Sequence, residues 1–209
     1  MIKNYFKIAF RNLWKNKIFS FINITGLALG MAGAVLLIMD IQYELSVDQF
    51  HEKKDHIYKV YTENKVDGKL QSSEITPDPL APALKQYYPE IKSVARVAET
   101  GRLLRFGDKK ISVSGTYTEP AFLSMFSFPL VKGNAQTALT DPHSILITEQ
   151  LAKKIFGDED PMNKIIRADN TDNFTVAGVL KDLPNNSEFK FEYLLPWAFY
   201  QSKGWEHGS

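Results

Sequence analysis

From Ile18 to Met39 the chain runs 22 residues without one ionisable side chain, and this run constrains everything else. As a helix it would extend about 33 Å, enough to cross a hydrocarbon core of roughly 30 Å. Nothing after Asp40 has comparable apolar length. One membrane span followed by a water-facing domain is the organisation expected. Two other origins fit less well. A cleavable signal peptide, which would leave a mature N-terminus between Ala28 and Val35, carries an apolar region of about 7–15 residues. Here the apolar run continues past the small residues of "GMAGA" through Val35 to Met39. A buried helix of a soluble protein would be shorter and would carry a polar stripe.

Charge orients the span. The formal net charge is only +1, yet Lys3, Lys7, Arg11, Lys15 and Lys17 place five positive charges and no acid in the first 17 residues. The remainder holds 20 basic and 24 acidic residues, a formal −4. Positive residues crowding one side of a first span keep that side in the cytoplasm. The bulk of the chain, from about Glu44, is then expected outside, where it meets neither cytosolic ATP nor nucleic acid. Cysteine is absent, so there is neither a disulfide framework nor a thiol site.

The opening residues carry a second pattern. Ile2, Phe6, Ala9, Phe10 and Leu13 share one helical face, with Lys3, Lys7, Arg11 and Lys15 beside or opposite them. An apolar stripe flanked by cations describes a helix lying in the membrane interface, and Trp14 suits an aromatic belt. A plain basic flank that only sets topology is the simpler alternative. Inside the span, Gly26 and Gly30 form a G-x-x-x-G pair with Ala34 one turn further on. Small residues four apart let a second helix approach closely. Ser20, Asn23 and Thr25 add hydrogen-bonding groups near the cytoplasmic end.

Beyond residue 42 the chain alternates short strands and short helices. "HIYKVYTE" has strand composition, and Asp67-Gly68 predicts a turn into a second strand near Ser72–Thr76. Asp78 is placed to cap a helix with Pro79 at its first position, running through Leu80 and Leu84 to a stop before Pro89. "IKSVARVAE", "RLLRF" and "KKISVSGTYT" read as strands, the last with Ile111, Val113, Gly115 and Tyr117 on its buried face. A short helix over 120–125 and a strand over 128–132 follow. "SILIT" leads into a helix capped by Thr148 and closed by Gly157, with Leu151 and Ile155 inward. "FTVAGVL" and "FKFEYLLP" are the remaining strands. The class is mixed α/β (α+β).

Chemistry-bearing motifs are scarce. His51, His56, His143 and His207 form no zinc-binding spacing and read as surface or core residues. "DQFHEKKD" reads as a solvated turn beside the membrane instead of a metal site. "FGDEDPMNK" lacks calcium-loop spacing and reads as a capped turn after a helix. There is no G-x-S-x-G elbow, Walker A loop or G-x-G-x-x-G fingerprint. No catalytic residue, metal or cofactor is assigned to this chain.

Several segments carry a family resemblance. "RNLWKNKIFSFINITGLALGMA" running into "YELSVDQFH" and "IYKV" resembles the start of FtsX/MacB-type ABC transporter permeases. "SGTYTEPAFLSMFSFPLVKGNAQTAL", "LAKKIFGDEDPMNKII" and "FTVAGVLKDLPNNSEFKFEYLLP" are similar, in the same order, to the extracytoplasmic MacB-like core domain. The resemblance implies an interfacial helix over 1–17, a transmembrane helix over 18–41 and a periplasmic core domain with porter-like lobes over 42–209. It further implies a non-catalytic subunit of the inner membrane. Such a subunit works as a dimer with a cytoplasmic ABC ATPase, which would hold the ATP and Mg. Its motions would drive export or act on a periplasmic adaptor or substrate. Gly26, Gly30 and Ala34 are then expected to pack helices, and Lys7, Arg11 and Lys15 to touch lipid or the ATPase, with 44–51 linking span to domain. The family's three later membrane helices do not follow "WAFYQSKGWEHGS", so a fragment or truncated product is expected. A single-pass anchored sensor or adaptor, and an enzyme behind a signal peptide, are the rival organisations.

Overall fold

A computed structural model describes residues 2–205, with side chains from Asn4 onward. His207 and the side chains of Ile2 and Lys3 therefore lie outside the described residues. Two compact units divide between Val47 and Asp48.

The first unit is helical. Helix α1 spans Ile2–Lys15 and α2 spans Lys17–Ser46. The break falls at Asn16, whose backbone leaves helical geometry (φ −113°, ψ 54°). α2 is apolar on every side over its span and none of its residues is buried. A helix of that kind belongs in lipid. It is long and apolar enough to cross a membrane, and its last turns extend through Asp40 and Glu44, past the expected end at residue 41.

The second unit is built on a sheet that closes on itself. Its strands are β3 (Val97–Phe106), β4 (Lys109–Thr118), β5 (Leu130–Gly133), β6 (Ser144–Thr148), β7 (Ile165–Ala168), β8 (Asp172–Leu180) and β9 (Tyr193–Pro196). The order is β5-β8-β6-β9-β4-β3-β7, and β7 returns to pair with β8. Six strands thus form a ring to which β5 is added. The β6–β8 and β4–β9 pairs are parallel and the rest antiparallel. A separate hairpin, β1 (Thr62–Val66) and β2 (Lys69–Ser73), turns at Asp67-Gly68. Both turn residues have positive φ (50° and 78°), the geometry that the Asp-Gly pair favours.

Alternation along β6 and β9 divides the core. Ile145, Ile147, Tyr193 and Leu195 point into one apolar cluster with Leu104, Val113, Ile166, Phe174 and Phe199. Leu146 and Leu194 point the other way, into a cluster with Phe122, Phe128 and Phe191. Both faces of these strands are buried, and each enclosed Ile or Leu contributes about 1.5–3 kcal/mol. The expected buried face of β4 is present at Val113, Gly115 and Tyr117, but from Gly115 onward the opposite face is buried as well.

Four short helices complete the unit: α3 (Leu80–Tyr87), α4 (Phe122–Met125), α5 (Glu149–Phe156) and α6 (Trp197–Ser202). Thr148 caps α5, its hydroxyl accepting from the Leu151 N–H, and Gly157 closes it with φ 67°.

Several sequence expectations need correction. Residues 57–61 form no strand, and the two strands expected over 91–106 are one, beginning at Val97. The cap position falls to Pro79 instead of Asp78, so Pro79 precedes the helix instead of opening it. The strand expected over 189–196 is confined to 193–196, because Phe189 and Phe191 turn into the aromatic cluster. β7 and α6 were not legible in the sequence.

Candidate functional site

The segment that follows α2 is fastened to the second unit at once. Asp48 sits at φ 54°. Its N–H donates to the Asn186 carbonyl (2.9 Å), and its Oδ1 accepts from the Glu188 N–H (3.0 Å). Phe50 lies half-buried with its ring 5.8 Å from Phe128. His51 is 3% exposed, and its Nδ1 accepts from the Ser127 N–H (3.1 Å). The Glu52 N–H donates to Ser127 Oγ (2.9 Å), and Lys53 Nζ donates to the Ser124 carbonyl (2.5 Å). Six consecutive residues, 48–53, are thereby clasped between the 124–128 and 186–188 segments.

The reading of "DQFHEKKD" as a solvated turn is therefore corrected. It is a turn, but its Phe and His are drawn inward by an aromatic lining that the local sequence does not show. Phe50, Phe126 and Phe128 surround the His51 ring at centroid distances of 4.1, 5.1 and 5.1 Å. Burial lowers the His51 pKa, against a smaller upward pull from Asp48, whose Oδ1 lies 3.8 Å from Nε2. The spacing of "F-S-F" at 126–128 was the one available sequence signal, since it places two rings on either side of the backbone N–H that His51 accepts from.

The expected residues of the first unit lie on open faces. Gly26, Gly30 and Ala34 recur at four-residue spacing along α2 and are exposed. A Cβ added at Gly26 or Gly30 would meet nothing within 4 Å. Lys7, Arg11 and Lys15 recur at the same spacing along α1 and are also exposed. Trp14 lies tilted beside Phe10 (6.0 Å) and beneath Lys17 Nζ (5.6 Å). The structure groups each set on its own helix; it supplies no partner for either.

A further polar cluster lies in the ring's interior. Arg102, 5% exposed, donates to the Tyr117 hydroxyl, Asp169 (3.0 Å) and Asp172 (3.3 Å). Burial opposes its charge, but Tyr117 and the two aspartates outweigh that and raise its pKa. Its donors are used in internal bonds, which makes it a structural ion pair. Among the described residues no group of His, Asp or Glu could hold a metal. Asp160 and Glu159 in the "DEDP" turn pair with Lys132 and Lys164.

Comparison with known proteins agrees with this architecture. A domain described as that of a permease protein from Porphyromonas gingivalis is similar over 71% of this chain, with 28% identity and a TM-score of 0.60. The chain spans 65% of that domain's length. The extracellular domain of the noncanonic ABC-type transporter YknZ from Gram-positive bacteria matches 62% of the chain and 65% of its own, at 20% identity and a TM-score of 0.50, a likeness of fold. No curated protein matches closely enough to count as a relative. The family model for the MacB-like periplasmic core domain matches residues 20–208, and the chain belongs to that family.

Proposed function

We propose that this chain acts as a non-catalytic permease subunit of an ABC transporter, carrying motion of a membrane helix into an extracytoplasmic domain. The observation that supports this most is the clasp. α2 ends at Ser46 and the fastened segment begins at Asp48, so the chain between them is the single residue Val47. Phe50 and His51 anchor it by burial, and five hydrogen bonds, each with a backbone group on at least one side, hold it in register. A flexible tether would suit a passive anchor better, because Gly/Ser-rich linkers absorb displacement.

The partners follow from the open faces. The Gly26–Gly30–Ala34 stripe suits close approach by another membrane helix, from a second copy or from the same permease. Lys7, Arg11 and Lys15 suit anionic lipid headgroups or a cytoplasmic ABC ATPase. ATP and Mg would be held by that ATPase, the N-terminus would be cytoplasmic, and the second unit would lie in the periplasm. Substrate export or force transmission to an adaptor would be the output.

Tagged chain recovered from membranes tests this. It should bring down an untagged second copy and a cytoplasmic ATPase subunit. Gly30→Leu should reduce recovery of the second copy roughly tenfold, the equivalent of 1–2 kcal/mol of helix packing. Recovery of the chain alone, unchanged by Gly30→Leu, would favour a single-pass sensor or adaptor.

A further inference from the structure

His51 has a feature that anchoring does not require. Its Nδ1 is used as an acceptor, so the proton of the neutral ring sits on Nε2. That nitrogen is buried and has no hydrogen-bond partner. A phenylalanine would fill the same space and leave nothing unpaired but the Ser127 N–H. The ring is instead an ionisable group enclosed by Phe50, Phe126 and Phe128.

Protonation would change each contact in a definite direction. Both ring nitrogens would become donors, so Nδ1 could no longer accept from Ser127. The carboxylate that would draw the new charge is Asp48, whose Oδ1 lies 3.8 Å from Nε2, and Asp48 belongs to the same fastened segment. The change therefore exchanges a bond between segment and domain for an ion pair within the segment. It also sets a positive charge among three aromatic rings in a site closed to water.

The charges around the ring leave it to respond in this way. The Coulombic pull on it comes from Asp48. Residues 124–128 include no ionisable side chain. On the 186–190 side, Glu188 pairs with Lys59, and Lys190 donates to the Asn185 carbonyl. On the segment itself, Lys53 donates to Ser124 and Lys54 to Gln49, and the Glu52 side chain is exposed.

We infer that His51 is an acid-sensitive catch, which holds the 48–53 segment against the domain when neutral and releases it when protonated. The inference rests on the coupling role proposed above for that segment. A histidine in an unfolded chain ionises near 6.5, and here burial lowers that value. The neutral ring's contribution is complete above about pH 6.5 and is lost as pH falls through the lowered value.

The absence of cysteine makes the test direct. Spin labels on Glu52→Cys and Asp158→Cys, in the full chain in lipid nanodiscs, report the distance between segment and domain. We expect a narrow distribution at pH 7.5 that broadens at pH 5.5. Between about pH 6.5 and the lowered value, the clasped-to-released ratio should fall by up to about tenfold per pH unit. His51→Asn keeps an acceptor near the Nδ1 position without titrating, and should stay narrow at both pH values. A distribution narrow at both pH values in the unsubstituted His51 background overturns the catch and leaves the clasp intact. One broad at both overturns the clasp, and with it the coupling role. Broadening that persists in His51→Asn assigns the response to another group and also overturns the catch.

Discussion

Gly115 shows how finely single positions are set in the ring. A Cβ there would lie 2.2 Å from the Tyr193 ring, and Tyr193 is fully buried on the neighbouring strand. Neither backbone nor ring can yield, since Tyr193 is packed among Tyr117, Phe199 and Leu195. Gly115→Ala should lower stability by about 3 kcal/mol, the upper range for an added core methyl group. Chemical denaturation of the full chain in detergent, followed by tryptophan fluorescence, checks this. The glycine was readable in the sequence as a member of a buried face, but not the reason for it. That reason is a tyrosine 78 positions later, brought alongside by a parallel pairing that no local pattern records.

At the level of elements, what could be read was what local chemistry decides. α5 was legible at both ends because Thr148 and Gly157 act within their own turn. Thr148→Ala should cost about 1 kcal/mol, and Thr148→Ser should restore most of it. Thermal unfolding of the two variants measures the difference. The β1–β2 hairpin was legible for a similar reason, since Asp-Gly dictates its own backbone. β7 was not, because its four residues become a strand only between β3 and β8. Residues 57–61 err in the opposite sense. Ile57, Tyr58, Val60 and Tyr61 have strand composition, but no strand pairs with them, and composition without a partner makes no ladder. The clasped segment stood between these cases. Its place after the first helices was plain, whereas its burial depended on Phe126 and Phe128 from one distant stretch.

Across the whole molecule, rigidity is unevenly distributed. The central ring strands β6 and β9 are enclosed on both faces, whereas β1, β2 and α3 contain no buried residue. An isolated two-stranded hairpin is marginal in water, so local opening should be far easier there. Limited trypsin digestion should cut first at Lys65 or Lys69, before any lysine of the ring. Mass spectrometry of the earliest fragments decides it, and early cleavage at Lys109 or Lys110 would contradict the ranking. The sequence had made the long apolar helix and the α/β class readable, since both follow from composition and periodicity. Closure of the sheet was not readable, because it depends on which strands meet. That closure also bears on handling the protein in quantity. A ring hides the amide edges through which copies of a sheet protein stick together, and β5 adds only four residues of open edge. The hairpin, with Val66 and Leu70 exposed, is then where clumping between overproduced copies would begin. Lys65 and Lys69 flank its turn as charged guards, and chemistry that neutralises surface lysines would remove them.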